Sequence, residues 1–228
     1  MPFPNQVRAV LLDMDGTILD TETIYVGSMF AALRDMGFHL SEPLIHAMIG
    51  LPGKQCMDLL HGEFGTRFDQ KAFSPIYVAH RTERMKNGIP LKPGTLELLD
   101  DIDRLGLPVA VATSSHRRNA EENLGATGIL PRFAAILTRD DVEEAKPHPA
   151  LFLKAAAALG MPPAACLAVE DSHVGVRAAH AAGTMAVMVP DMLPANDEIR
   201  GLCLHVVPDL HAVRALLQQS AANHGAPR

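Results

Sequence analysis

Short apolar runs alternate with longer stretches of helical periodicity along most of the chain. The runs at Ala9–Leu12, Pro108–Ala112, Ala134–Leu137, Cys166–Val169, Met185–Val189 and His205–Val207 predict buried strands. Between the later runs lie helical segments that end at glycine: Thr95–Leu105 before Gly106, Pro149–Leu159 before Gly160, and Val174–Ala182 before Gly183. Strands separated by helices pair in parallel through crossovers, so the pattern predicts an α/β fold with a doubly wound parallel sheet. One region breaks the alternation. From Thr21 to Gly88 no strand pattern occurs. The stretch "TETIYVGSMFAALRDMG" reads as an amphipathic helix ending at Gly37, Ser41 as the cap of a second, and "KAFSPIYVAHRTERMKNG" as a longer one ending near Gly88. The expected organisation is a Rossmann-like core of residues 1–19 and 89–228, with a helical module of residues 20–88 inserted after the first strand. The tail "SAANHGAPR" is small and polar and is expected to fray.

Bulk properties narrow the choice of chemistry. The chain has 228 residues, enough for a core plus a small module, and 48% are hydrophobic, which argues against disorder. A net charge of −6 supplies no basic field, so nucleic acid and membrane surfaces are not expected partners. No apolar run approaches the roughly 18 residues of a membrane span. Cys56, Cys166 and Cys203 are far apart and suggest neither a zinc site nor a disulfide framework. A cytoplasmic protein, monomeric or weakly dimeric, is the expectation.

The chemically rich residues fall where strands end. Asp13 and Asp15 follow the first run in "LLDMDGTILD", Thr113 and Ser114 follow "VAVA", and Glu170 and Asp171 follow "CLAV"; Lys146 lies in the loop after "AAIL". In a doubly wound sheet, ligands bind beyond the carboxyl ends of the strands. Clustered carboxylates repel one another and need a cation between them, and an all-oxygen set favours Mg²⁺. A lysine and hydroxyls beside that cation would hold phosphate oxygens. A carboxylate can attack phosphorus, and a second Asp can shuttle the proton. An Asp at a strand end is also an ordinary turn or cap residue. Ser115 is read as the cap of a helix beginning near His116, Ser172 as the start of the helix after Asp171, and His148 and His173 as bystanders.

The segments "DMDGT", "ATSS", "EAKPHP" and "AVEDS", in this order, resemble the four motifs of the haloacid dehalogenase superfamily, in its phosphatase and β-phosphoglucomutase-like branch with a small helical cap. The resemblance implies that Asp13 is nucleophile and metal ligand. It makes Asp15 the general acid and then base, with its carbonyl on the metal. Thr113, Ser114, Gly16 and Thr17 would bind phosphate, Lys146 would screen Asp13 and bind phosphate, and Asp171 with Glu170 would hold Mg²⁺. Ala145 stands where many relatives have glycine. Asp15 is the residue that phosphatases and phosphomutases carry two places after the nucleophile. A leaving alcohol needs a proton and a halide does not, which agrees.

The implied function is Mg²⁺-dependent hydrolysis of a small organic phosphate monoester, such as a sugar phosphate, with that phosphorylated metabolite as partner. A sugar phosphomutase is the alternative, and a phosphonate hydrolase or a non-catalytic phosphometabolite-binding regulator are further ones. Mutases tend to carry a cap arginine for the second phosphate, and Gly53 stands near that place in "GLPGKQ". Lys54 is a candidate substrate contact, with a solvent-facing lysine at a helix start as the plainer reading.

Overall fold

A computed structural model describes residues 3–48, 53–86 and 88–224. The chain divides into two compact units, Met1–Asp20 with Pro90–Arg228, and Thr21–Ile89.

The first unit holds a sheet of strands β1 (Ala9–Leu12), β2 (Val109–Ala112), β3 (Ala135–Leu137), β4 (Cys166–Glu170), β5 (Met185–Met188) and β6 (His205–Val206). Their order is β3-β2-β1-β4-β5-β6, and every pairing is parallel. β1, β2, β4 and β5 are buried along their whole length. That is why they read as unbroken apolar runs: a parallel sheet is covered on both faces and has no polar side to alternate with. The crossover helices are small-residue rich where they meet the sheet. Ala155 and Ala156, with Ala178 and Ala179, pack with Phe152 against Ala9, Leu11, Ala110, Ala112 and Ala168.

The second unit is helical among its described residues: α1 (Thr21–Asp35), α2 (Glu42–Met48), α3 (Gly53–Phe64) and α4 (Gln70–Met85). Ser41 Oγ accepts from Leu44 N at 3.4 Å, the cap expected for α2. Leu33, Leu44, Leu60, Phe68 and Phe73 form this unit's own core. Two of its aromatics are consumed there, Phe64 against Phe38 and Tyr77 stacked on Phe73.

The remaining helices belong to the first unit: α5 (Thr95–Arg104), α6 (Arg117–Ala126), α7 (Ala150–Ala158), α8 (His173–Ala181), α9 (Asp197–Leu202) and α10 (Leu210–His224). Ser220–His224 of the tail depart from expectation by continuing α10, and residues 225–228 lie outside the described residues. Leu210, Val213, Leu217 and Ser220 are all buried, a stripe at helical spacing that includes the serine. Arg214 Nε donates to Asp101 on α5 at 2.6 Å and Gln218 donates to the same carboxylate. Burial pushes the Asp101 carboxyl up in pKa, and these donors with Arg104 outweigh it and hold it low. No helix among the described residues is long and apolar enough to cross a membrane.

Candidate active site

The sheet order puts β1 between β2 and β4, the point where successive crossovers lead in opposite directions along the sheet. Ligands of such sheets bind at that switch point. Asp13 lies one residue past β1 and its backbone continues the ladder, with Asp13 N donating to Val169 O at 3.0 Å. Glu170 is the last residue of β4 and Asp171 follows it. The Asp13–Asp20 segment then folds into a tight turn, with Ile18 N and Leu19 N both donating to Met14 O at 3.0 Å. Gly16 takes φ +82° in it, and a Cβ there would overlap the Asp171 carboxylate. Glycine is required at this position on both counts.

Lys146 is the hub. Its Nζ donates to Asp13 Oδ1 at 2.6 Å, Glu170 Oε1 at 2.5 Å and the Ala112 carbonyl at 2.8 Å. The lysine side chain is 2% exposed and its two carboxylate partners 9% and 1%. Its ammonium also sits 5.0 Å from the Phe152 ring centroid. The Lys146–Pro147 peptide is cis. Ala145 is exposed, so the extra methyl displaces nothing.

Thr17 Oγ1 lies 3.3 Å from Asp13 Oδ2 and 3.2 Å from Asp171 Oδ1, so one hydroxyl bridges the two carboxylates. Glu170 Oε2 accepts from Ser172 N at 3.2 Å and Ser172 Oγ at 2.9 Å, while Ser172 Oγ accepts from Gly175 N as the cap of α8. A Cβ on Gly175 would overlap the Glu170 carboxylate. The helix start is thus a glycine seat for the acid.

Asp15 is set by the end of β2. Its Oδ2 accepts from Ser115 Oγ at 2.6 Å and from Thr113 Oγ1 at 3.3 Å. Its Oδ1 is buried and has no hydrogen-bond partner among the described residues. Ser115 is therefore not the helix cap expected for it. α6 begins at Arg117, whose N donates to Asp140 Oδ2 at 2.9 Å, so an acid from 23 residues further on caps it. That leaves the Ser115 hydroxyl for Asp15, a contact between residues 100 apart in sequence. Ser114 is exposed on the rim. His173 bonds the Pro194 carbonyl, and His148 pairs with Glu144. The backbone of Lys54 opens α3, but its side chain lies outside the described residues.

Oxygens of Asp13, Glu170 and Asp171 all lie within 4.8 Å of one another. Burial, followed by the charges of Glu170 and Asp15, raises the Asp13 pKa to about 8 despite the opposing Lys146. Burial, then Asp13 and Glu170, raises Asp171 well above the usual carboxylate range. Lys146 moves the other way: burial disfavours its charge, but Asp13 and Glu170 outweigh that and raise it. Three acids against one lysine leave an excess of negative charge in a dry place. An all-oxygen triad with that excess fits a hard divalent cation such as Mg²⁺. Sequence reasoning missed the Ala112 carbonyl, which no side-chain signal reveals. It also missed Asp191, three residues past the end of β5, and its partner Lys92, whose Nζ donates to Asp191 Oδ1 at 2.7 Å.

This site lies on a chain that matches the haloacid dehalogenase-like hydrolase profile over residues 10–189. The chain belongs to that family. It is 33% identical over 221 residues to the plasmid protein CbbY of Cupriavidus necator, covering 90% of this chain and 86% of that protein. It is 28% identical over 200 residues to hexitol phosphatase B of Escherichia coli, covering 86% and 90%. Its fold superposes on the crystal structure of β-phosphoglucomutase from Clostridium difficile with a TM-score of 0.72, at 22% identity, over 96% of this chain and 98% of that one.

Proposed function

We propose that the protein is a Mg²⁺-dependent phosphatase that hydrolyses a small phosphate monoester, a sugar or polyol phosphate, through an aspartyl-phosphate on Asp13. The observation that carries the reading is Asp15. It stands two residues from the nucleophile, anchored through one oxygen by Ser115 and Thr113, with the other oxygen buried and unpartnered. That is the arrangement of a proton donor awaiting a substrate oxygen.

In the first step an Asp13 oxygen attacks phosphorus and the ester P–O bond breaks. Asp15 gives its proton to the leaving alkoxide. In the second step Asp15 takes a proton from water, the water oxygen attacks phosphorus, and the bond to Asp13 breaks. Alcohol and inorganic phosphate leave, and Asp15 is again protonated. Lys146 holds Asp13 in position and offers positive charge to the transferring phosphoryl group. Thr113, Ser114 and the turn at Gly16 and Thr17 are the candidate phosphate contacts. Asp13, Glu170, Asp171 and the Asp15 carbonyl would hold Mg²⁺, which supplies charge neutralisation for the phosphoryl oxygens. Hexitol phosphatase B supports a polyol or sugar phosphate as the substrate class.

The helical unit Thr21–Ile89 is proposed to act as a cap. Its two connections leave the first unit side by side: Asp20 N donates to Pro90 O at 2.8 Å, and Leu19 bridges Leu91 in antiparallel fashion. Paired exits of this kind suit a hinge.

The test is Mg²⁺-dependent release of phosphate by wild type, Asp13→Asn and Asp15→Ala. Asp13→Asn should abolish turnover with the fold intact. Asp15→Ala should lose single-turnover formation of the phosphoenzyme for alkyl phosphates far more than for p-nitrophenyl phosphate, whose leaving group needs no proton. Equal losses for both substrates would rule out the acid role.

A further inference from the structure

Beyond the triad, one charged pair sits on the same rim with no part in the chemistry above. Lys92 Nζ donates to Asp191 Oδ1 at 2.7 Å, with side chains 19% and 15% exposed. Lys92 is tied to the catalytic turn by its backbone, donating N–H to Ile18 O at 3.0 Å. The other Asp191 oxygen, Oδ2, is buried and has no hydrogen-bond partner among the described residues. It is not pointed at random. A Cβ placed on Gly16 would lie 3.1 Å from Asp191 Oδ2 and would overlap Asp171 Oδ2. Asp171 Oδ2 and Asp191 Oδ2 therefore flank one point beside Gly16, at the edge of the carboxylate triad.

A buried carboxylate oxygen without a donor is costly, about 1–3 kcal/mol or more for a charged group, and calls for a partner. No group among the described residues supplies one here. Mg²⁺ sheds its waters reluctantly and usually keeps several when protein ligands are few. Those waters are strong donors.

We propose that Asp191, braced by Lys92, is a positioning residue for the divalent cation, with Oδ2 accepting a hydrogen bond from water in the cation's hydration shell on the Asp171 side. The proposal rests on the cation site inferred above. Asp191 does not ligate the ion. It fixes the hydration on one flank, and Lys92 keeps the carboxylate from turning inward as a direct ligand. The lysine also balances its charge, so the extra acid does not add to the repulsion within the triad. The arrangement makes a second layer around the cation out of the segments after β5 and before α5, neither of which carries one of the four family-like motifs.

The test uses Mn²⁺ alone as probe, followed by electron paramagnetic resonance of the free ion, on wild type, Asp191→Ala and Asp191→Asn. Asp191→Ala should weaken Mn²⁺ binding about tenfold or more, in the range typical for lost outer partners of a metal site. Asp191→Asn keeps one oxygen, which Lys92 holds, and puts an NH2 donor where Oδ2 stood, so it should weaken binding by a similar factor. Both effects should persist at about 1 M KCl, where the screening length is roughly 3 Å and a mere through-space charge is muted. Thermal melts in EDTA should show both variants folded; if the alanine variant is not, the isosteric asparagine decides. Mn²⁺ affinity within about twofold of wild type would overturn the proposal, since a held outer partner is worth more. An effect that vanishes in high salt would also overturn it. Wild type that fails to bind Mn²⁺ at all would remove the cation site itself, a result distinct from a wild type that binds and a variant that binds equally well.

Discussion

Replacing Lys146 by methionine keeps the four-atom stem of the side chain and deletes its charged end. The structure sets the size of the effect. Three hydrogen bonds go, to Asp13, Glu170 and the Ala112 carbonyl, and both carboxylates are almost fully buried. Removing one partner of a buried ion pair costs about 3–5 kcal/mol, because it strands the other. Asp13 limits the loss because it holds a proton near neutral pH, its pKa standing at about 8 even with the lysine in place. The lower end of that range is therefore expected near neutral pH, or roughly 6–12 °C in Tm for a chain of this size. The sign with pH follows. Lys146 pulls the Asp13 pKa down, so its loss leaves the native state holding a proton that wild type releases near pH 8, and the gap to wild type should widen between about pH 7 and pH 9. Melts in EDTA across that range measure it. Mg²⁺ should then stabilise Lys146→Met more than wild type, because the triad has lost the ammonium paired with Asp13 and Glu170. Turnover should stay down by about 100-fold or more, as for loss of a charge-stabilising donor. A variant that melts with wild type at pH 7.5 in EDTA and keeps its turnover would refute both the electrostatic account and the role given to this lysine.

Other outcomes follow from the same geometry. Gly175→Ala should weaken Mn²⁺ binding and cost about 1–3 kcal/mol despite alanine's better helix propensity, since its Cβ would overlap the Glu170 carboxylate; metal titration and melts check it. Metal-free wild type should lose stability as pH rises from about 4 to about 8, by up to ~1.4 kcal/mol per pH unit for each proton the native carboxylates retain and the unfolded chain has released. Mg²⁺ should flatten that slope and release protons on binding, measurable by calorimetry in buffers of different ionisation enthalpy. Ser115→Ala should slow phosphoenzyme formation from alkyl phosphates by about tenfold, the value of one hydrogen bond to a charged group, and from p-nitrophenyl phosphate by less. Incubation with β-glucose 1-phosphate and a trace of glucose 1,6-bisphosphate should yield inorganic phosphate, because a glycine at position 53 offers no bidentate hold on a second phosphate; faster accumulation of glucose 6-phosphate in ³¹P NMR would favour a mutase.

What could be read from the sequence, and what could not, divides along a physical line. Strands buried on both faces announce themselves as apolar runs, so β1 and β4 were located to within a residue. The carboxylates at their ends follow from that, because the position of a residue one step past a strand is a local property. The order of strands is not local. Nothing in "VAVA" or "CLAV" says that both flank β1, and it is that pairing which brings Asp13, Glu170 and Lys146 within hydrogen-bonding reach. Hydroxyls are harder still. Ser115 and Ser172 look alike, each just ahead of a helix, and only Ser172 serves as the cap. Asp140 takes the capping duty at α6 from a distance, and this frees Ser115 for Asp15. Asp191 was silent for the same reason, since an aspartate after "VMVP" is an ordinary turn residue until Lys92 and Gly16 are seen beside it. The local signal thus names the acids that would do chemistry. The residues that fix their orientation are chosen by the fold, through contacts about a hundred positions apart, and these are the residues whose substitution separates a correct geometry from a correct composition.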